Sequence, residues 1–244
     1  MVKIPSIEEM LKAGMHFGHR TSKWHPKMAP FIFGERAGVH IIDLQKTAVL
    51  FAEALEYVSQ MAAENKTILL VGTKDQVRGS IVKTAKELGL PFVENRWLGG
   101  TLTNFAVIKH LTKNYLDLKE KKEAGKLAKY TKKEQLEFAR KIAKLERMVG
   151  GIANLKKLPD AIFIWDIKHE KTALQEAKNK GVPVVAVCDT NVNPASVKYV
   201  IPGNDDATKA VKLVLDYFRQ AVLDGRTKIK AAKPAESQII KKQF

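Results

Sequence analysis

Cys188 is the single cysteine among 244 residues, so this chain can form neither an intrachain disulfide nor a four-cysteine zinc site. A small thiol buried in a reduced compartment is the expectation for it. No window approaches the run of about 18 apolar residues that a membrane span requires. The opening Met1-Val2-Lys3-Ile4-Pro5-Ser6 lacks an apolar signal core, and Glu8 and Glu9 do not suit a transit peptide. The expectation is a soluble protein that stays where it is made. The chemistry of an enzyme is also missing. Thr67–Val71 reads as a strand running into Gly72-Thr73-Lys74-Asp75-Gln76, a turn where a helix N-terminus offers donors to a phosphate. Yet neither Gly-x-x-x-x-Gly-Lys-Ser/Thr nor Gly-x-Gly-x-x-Gly is present, which weakens the reading as a nucleotide-binding α/β enzyme. His16, His19, His25 and His40 cluster early without the companions of a zinc-protease motif, and no serine has a nucleophile-elbow context. No catalytic residue, metal ion, cofactor or small-molecule substrate is expected.

What the chain has is positive charge. Forty-two Lys and Arg stand against 26 Asp and Glu, a net charge of +16. Such an excess repels itself in a compact fold and attracts polyanions, nucleic acid first among them, because each neutralised phosphate releases a counterion. A hydrophobic content of 45% is that of a globular protein.

Along the chain, Ser6-Ile7-Glu8-Glu9 is a capping box for a short helix ending near Lys12. Turn-rich Gly14–Arg20 follows, then a β-hairpin from Phe31-Ile32-Phe33 and Val39-His40-Ile41-Ile42. Asp43 caps a long helix with the apolar stripe Leu44, Ala48, Phe51, Leu55 and Val58. Thr73 and Gln76 form a second capping box for a helix that Gly89 ends. Strands are expected at 67–71, 91–93, 161–165, 182–187 and 199–201, with helices at 170–180 and 205–222. Continuous apolar strands alternating with helices indicate an α/β fold, a mainly parallel sheet covered on both faces.

From Phe105 to Val149 that alternation stops. Phe105, Ile108, Leu111, Tyr115 and Leu118, then Phe138, Ile142, Leu145 and Val149, recur at spacings of three and four around Gly125 and a Thr131–Glu134 capping box. The pattern predicts an inserted antiparallel coiled-coil hairpin of helices about 25 Å long. Its residues 106–149 hold 13 Lys and Arg against 6 Asp and Glu. The expected division is therefore 1–104 with 150–225 as a docking domain, 105–149 as the arm, and 226–244 as a basic, flexible tail. A solvated helix face is the plain alternative for the arm's charge.

Two loops suit irregular RNA. His16–Lys27 mixes Arg20, Lys23 and Lys27 with His16, His19, Trp24 and His25, so cations can meet phosphates while rings stack on unpaired bases. Asn95–Asn104 combines glycines with Asn95, Arg96 and Asn104 as donors. Arg36, Arg78, Lys109 and Lys113 extend the candidate RNA-binding set. Core anchoring is the competing role for Trp24 and Trp97. A free-standing adaptor whose arm binds another protein is the remaining alternative class.

Several motifs together resemble one family. Ala13-Gly14-Met15-His16-Phe17-Gly18-His19, Trp24-His25-Pro26-Lys27-Met28 and Val39-His40-Ile41-Ile42-Asp43-Leu44 are similar to the N-terminal signature of the bacterial small-subunit ribosomal protein S-two family. Asn95-Arg96-Trp97-Leu98-Gly99-Gly100-Thr101-Leu102-Thr103-Asn104-Phe105 resembles its central motif, and Pro159-Asp160-Ala161 and Asp189-Thr190-Asn191 its later ones. The likeness runs in order from Met10 to about Gly225. It implies a flavodoxin-like sheet with a protruding coiled coil, and a structural, non-enzymatic constituent of a bacterial cytoplasmic ribosome. Docking on small-subunit ribosomal RNA between head and body, late joining of the particle and support for ribosomal protein S-one are implied as well.

Overall fold

The Ser6 hydroxyl accepts the Glu9 N–H while the Glu9 carboxylate accepts the Ser6 N–H at 2.8 Å, and this reciprocal cap starts helix α1 (Ile7–Lys12). The structure, a computed structural model, describes residues 2–240. After α1 comes strand β1 (Phe17–Arg20), then two short 3-10 turns and the hairpin β2 (Ile32–Arg36) and β3 (Val39–Ile42). These form an antiparallel sheet in the order β1-β3-β2. The hairpin lies where its sequence places it. The strand β1 does not: its glycines read as a turn, but Gly18 is there because the backbone passes so near Thr190 that a Cβ would lie 2.6 Å from the threonine methyl. Helix α2 (Leu44–Ala63) then starts on Asp43, whose carboxylate accepts the Gln45 and Lys46 N–H groups at 3.0 and 3.3 Å.

The rest alternates strand and helix: β4 (Ile68–Val71), α3 (Asp75–Leu88) and β5 (Phe92–Val93); then α4 (Phe105–Glu123) and α5 (Lys132–Val149); then β6 (Ala161–Trp165), α6 (Lys171–Lys180), β7 (Val184–Cys188), β8 (Tyr199–Pro202) and α7 (Thr208–Ile240). All pairings among these five strands are parallel, in the order β5-β4-β6-β7-β8. Numbered within the sheet this is 2-1-3-4-5, the flavodoxin-like order, with its reversal between β4 and β6. Every residue of β4, β6 and β7 is buried, and the two-residue period divides them between two cores. Leu70, Phe163, Trp165 and Val187 join Phe51, Ile81 and Phe218 under α2, α3 and α7. Leu69, Ile162, Ile164 and Ala186 join Ala173 and Ala177 of α6, together with Ile108 and Val149 from the base of the inserted helices.

Tight glycine packing fixes two of these junctions. A Cβ on Gly225 of α7 would collide with the Ser59 carbonyl of α2, and one on Gly151, just after α5, with the Phe92 carbonyl of β5. At those points backbone meets backbone, and only glycine fits. In the insertion α4 and α5 pack on one another, burying Ile108, Tyr115, Leu118, Ile142, Leu145 and Val149. The Thr131–Glu134 box caps α5, and Gly125, with φ of 68°, makes the turn between the helices.

Two sequence expectations need correction. The Thr73–Gln76 capping box is absent, because Thr73 spends its hydroxyl on Glu170 and α3 starts without a side-chain cap. The last helix does not end near Val222 but continues to Ile240, so most of 226–244 is helical and not an extended arm. Ala and Lys dominate 228–233, and prolonging a formed helix over them adds a hydrogen bond per residue without a new nucleation step, whereas Pro234 beyond them has no N–H to give. The final part of that tail, 241–244, lies outside the described residues.

Candidate nucleic-acid interface

In a parallel sheet all carboxyl ends lie on one edge, and both candidate loops attach there. The first is pinned by Asp189-Thr190, directly after β7: the Thr190 hydroxyl accepts the His19 N–H at 2.9 Å, and the Thr190 carbonyl accepts the His25 N–H at 2.8 Å. Arg20, Lys23 and Lys27 are exposed there, and among the described residues none is engaged in an ion pair. Trp24 is 40% exposed and rests on the His40 ring with centroids 5.2 Å apart, so it is not a core anchor. His16 and His19 turn inward. Burial lowers the pKa of His16. His19 places Nδ1 3.0 Å from Asp189, and that hydrogen bond raises its pKa despite partial burial.

The second loop is organised by a residue that its own sequence does not reveal. Glu176 of α6 is buried, yet its carboxylate accepts five hydrogen bonds: from the Trp97 indole N–H at 3.0 Å, the Gly100, Leu102 and Thr103 N–H groups at 2.7, 2.9 and 3.1 Å, and the Thr103 hydroxyl at 3.1 Å. Burial alone would raise its pKa; the indole and the backbone N–H groups hold it below the usual carboxylate value. Trp97 is thereby a core anchor, while Arg96 and Asn104 stay exposed. The Asn95 amide donates to the Arg147 carbonyl at 3.2 Å, tying the loop to the end of α5. Lys109 and Lys113 are exposed one turn apart on α4. Arg36 is exposed on the hairpin, whereas Arg78 is paired with Asp75 at 3.1 Å and also donates to the Thr73 carbonyl. The structure thus groups His16–Lys27 on one side, with Arg36 across β3 from Arg20 because both pair in register with Val39, and Asn95–Asn104 with the base of the inserted helices on the other; Arg78 sits beside Thr73 between them.

Between these loops lies the crevice where flavodoxin-like folds bind ligands. Here the protein's own side chains occupy it. The Thr73 N–H, the donor a phosphate would seek, points to Glu170 Oε1 at 3.0 Å, and the Thr73 hydroxyl meets the same oxygen at 2.5 Å. Lys74 lies 3.2, 3.0 and 2.6 Å from Asp166, Asp205 and Asp206. Burial opposes its charge, but Asp206, Asp205 and Asp166 outweigh that and raise its pKa. Asp205 is fully buried and its pKa is pushed up to about 7, by burial first and by Asp166 and Asp189 next. Asp166 holds a left-handed backbone, φ 64°, with its carboxylate accepting the Lys168 and His169 N–H groups. The donor atoms of His19, Asp205 and Asp206 lie within 4.8 Å of one another, a set a divalent cation can accept, though Lys74 already supplies a positive charge among these carboxylates. The Thr73 N–H and the Lys74 ammonium, the donors a phosphate would use here, are thus already engaged by carboxylates.

Sequence reasoning missed Glu176 and the Asp166, Asp205 and Asp206 cluster. For Glu176 the signal is its position: Ala173, Glu176 and Ala177 share one face of α6, so a carboxylate stands on an otherwise apolar stripe. No helix in the described residues is long and apolar enough to cross a membrane. The family model for "Ribosomal protein S2" matches residues 10–225, which include both loops, the inserted helices and all eight strands. With that match over most of its length, the chain belongs to the ribosomal protein S2 family, structural proteins of the small ribosomal subunit.

Proposed function

We propose that this chain is an architectural, non-catalytic constituent of the bacterial small subunit that binds ribosomal RNA between head and body. On this reading it works in the cytoplasm, supports translation by position alone and helps to dock ribosomal protein S-one. It needs no cofactor or small-molecule substrate. Residues 1–104 and 150–225 form the RNA-docking unit, 105–149 act as a coiled-coil arm, and 226–244 add a basic tail.

The observation that carries this reading is the unpaired state of the loop cations. Arg20, Lys23, Lys27 and Arg96 are exposed without ion pairs among the described residues, in two loops on the same sheet edge. The exposed Lys109 and Lys113 continue that charge onto an arm with an excess of Lys and Arg. Cations left without carboxylate partners are available to phosphates, which give affinity and register, while folded RNA supplies shape for specificity. Trp24, exposed among them, offers a ring to an unpaired base.

The test is binding to small-subunit ribosomal RNA across a salt series. Each phosphate that is no longer neutralised should lower the salt slope by about one unit. Changing Arg20, Lys23 and Arg96 together to alanine should lower the slope by about three units and impair assembly into the particle. An unchanged slope with normal assembly would refute this site assignment, and indifference to ribosomal RNA at low ionic strength would refute RNA binding altogether.

A further inference from the structure

We propose that the cavity between the Asn95–Gly99 loop and the end of α5 holds one unpaired RNA nucleotide, with its base inside and its phosphate on the rim. The inference deepens the RNA-binding reading and rests on it. The cavity has a volume of about 670 Å³. Its charged lining is all of one sign: Arg96 from the loop, Lys144 and Arg147 from α5, and no carboxylate. None of the three cations has an ion-pair partner among the described residues, and all three are exposed. Its apolar lining comes from Leu98, Met148 and an edge of Trp97.

That combination selects among polyanions. A duplex presents phosphates but no free base, so it satisfies the rim and leaves the apolar wall in water. An unpaired nucleotide satisfies both. The base covers Leu98 and Met148, a thioether that adapts to flat rings, and guanidinium planes can stack on it while pairing with the phosphate. The wall is also built to stay in place. Trp97 is tied through its indole to Glu176, and Asn95 is tied to the Arg147 carbonyl, so loop and helix cannot separate without breaking hydrogen bonds. A preformed cleft loses less freedom on binding.

The experiment compares three fluorescent probes by anisotropy: a short uridine-rich single strand, the same strand with abasic sites and intact phosphates, and a blunt RNA duplex. The full chain should bind the normal strand about tenfold more tightly than the abasic one. Arg147→Lys, which keeps the charge and removes the stacking plane, should bring that ratio down while holding affinity for the abasic strand. Leu98→Ala with Met148→Ala should bring the ratio to within about twofold of one. Arg147→Lys is surface-exposed and keeps the reading decidable if the double variant melts early. If wild type binds ribosomal RNA but its ratio is already near one, or if neither variant changes it, the cavity does not hold a base; the RNA-binding proposal survives. If a polyglutamate peptide of matched charge displaces the single strand as well as unlabelled RNA does, the cavity is an acidic-peptide site and the inference is overturned. Failure of wild type to bind ribosomal RNA at low ionic strength defeats the reading on which it rests.

Discussion

Replacing Glu176 with alanine removes one acceptor from five donors, and the structure indicates what each broken bond costs. A hydrogen bond to a charged group contributes about 1.5–3 kcal/mol. The Trp97 indole N–H and the Leu102 N–H are buried, so no solvent replaces the carboxylate. The Gly100 and Thr103 donors lie nearer the surface, where water substitutes at little net cost. Counting the two buried bonds in full and the others near zero gives about 3–6 kcal/mol. For a chain of this size that lowers the melting temperature by roughly 6–24 °C. Circular dichroism melts measure it, and the near-ultraviolet ellipticity to which Trp97 contributes, compared with that of a Trp97→Phe control, reports whether the loop loosens first. Glu176→Gln should recover less than half of the deficit, since its amide NH2 turns a donor toward donors. The stability should also depend on acid. A carboxylate whose folded pKa is depressed stabilises the fold above its unfolded value, about 4.3, and that share vanishes as pH falls through the folded value. A Glu176→Ala protein melting within 2 °C of wild type at neutral pH would show that the loop is held by something else.

Three further outcomes follow from the crevice and the helix packing. Lys74→Met strands Asp166, Asp205 and Asp206 without their shared cation and should destabilise by about 3 kcal/mol, with partial recovery on adding Asp205→Asn; equilibrium urea unfolding decides it, and a neutral single substitution refutes the network's role. Because the folded pKa of Asp205 is raised, its stabilising share is complete below the unfolded value and lost as pH climbs through about 7. Asp205→Asn should therefore gain on wild type between pH 4.5 and 8, and parallel stability curves would count against that. Gly225→Ala must push α7 away from Ser59 and should cost about 1–3 kcal/mol in thermal or urea unfolding; wild-type stability would mean that the helices tolerate the added methyl.

How much of this was legible in the sequence depended on whether the cause was local. The Ser6, Asp43 and Thr131 caps are set by residues two or three apart, and each formed as its spacing implies. The central parallel strands β4, β6 and β7 announced themselves through unbroken apolar runs, because both of their faces are buried, while the edge strands β5 and β8 are only partly so. Where a partner lay far along the chain, local reading failed. Thr73 looks like a cap until Glu170 takes its hydroxyl from 97 residues away, and Gly18 looks like a turn until Thr190 passes beside it. The candidate site shows the same divide. The exposure of Arg20, Lys23 and Arg96 agrees with their polarity, but Glu176's hold on Trp97 spans 79 residues.

The position of the inserted helices bears on how the chain folds. Asp160, just before β6, accepts the Thr67 N–H that precedes β4, across 93 residues, so the sheet's central pairing joins two distant parts of the polypeptide. Were the intervening residues a slack coil, ring closure would be slow, although each doubling of length adds only about 0.6 kcal/mol. The helical hairpin, whose contacts span fewer residues than the β4–β6 pairing, can form before it and draw its own ends together. Gly151 seats the returning chain against the short edge strand β5, on the path that leads to β6 beside β4. On this account the inserted helices would also serve as the splint that lets the sheet close.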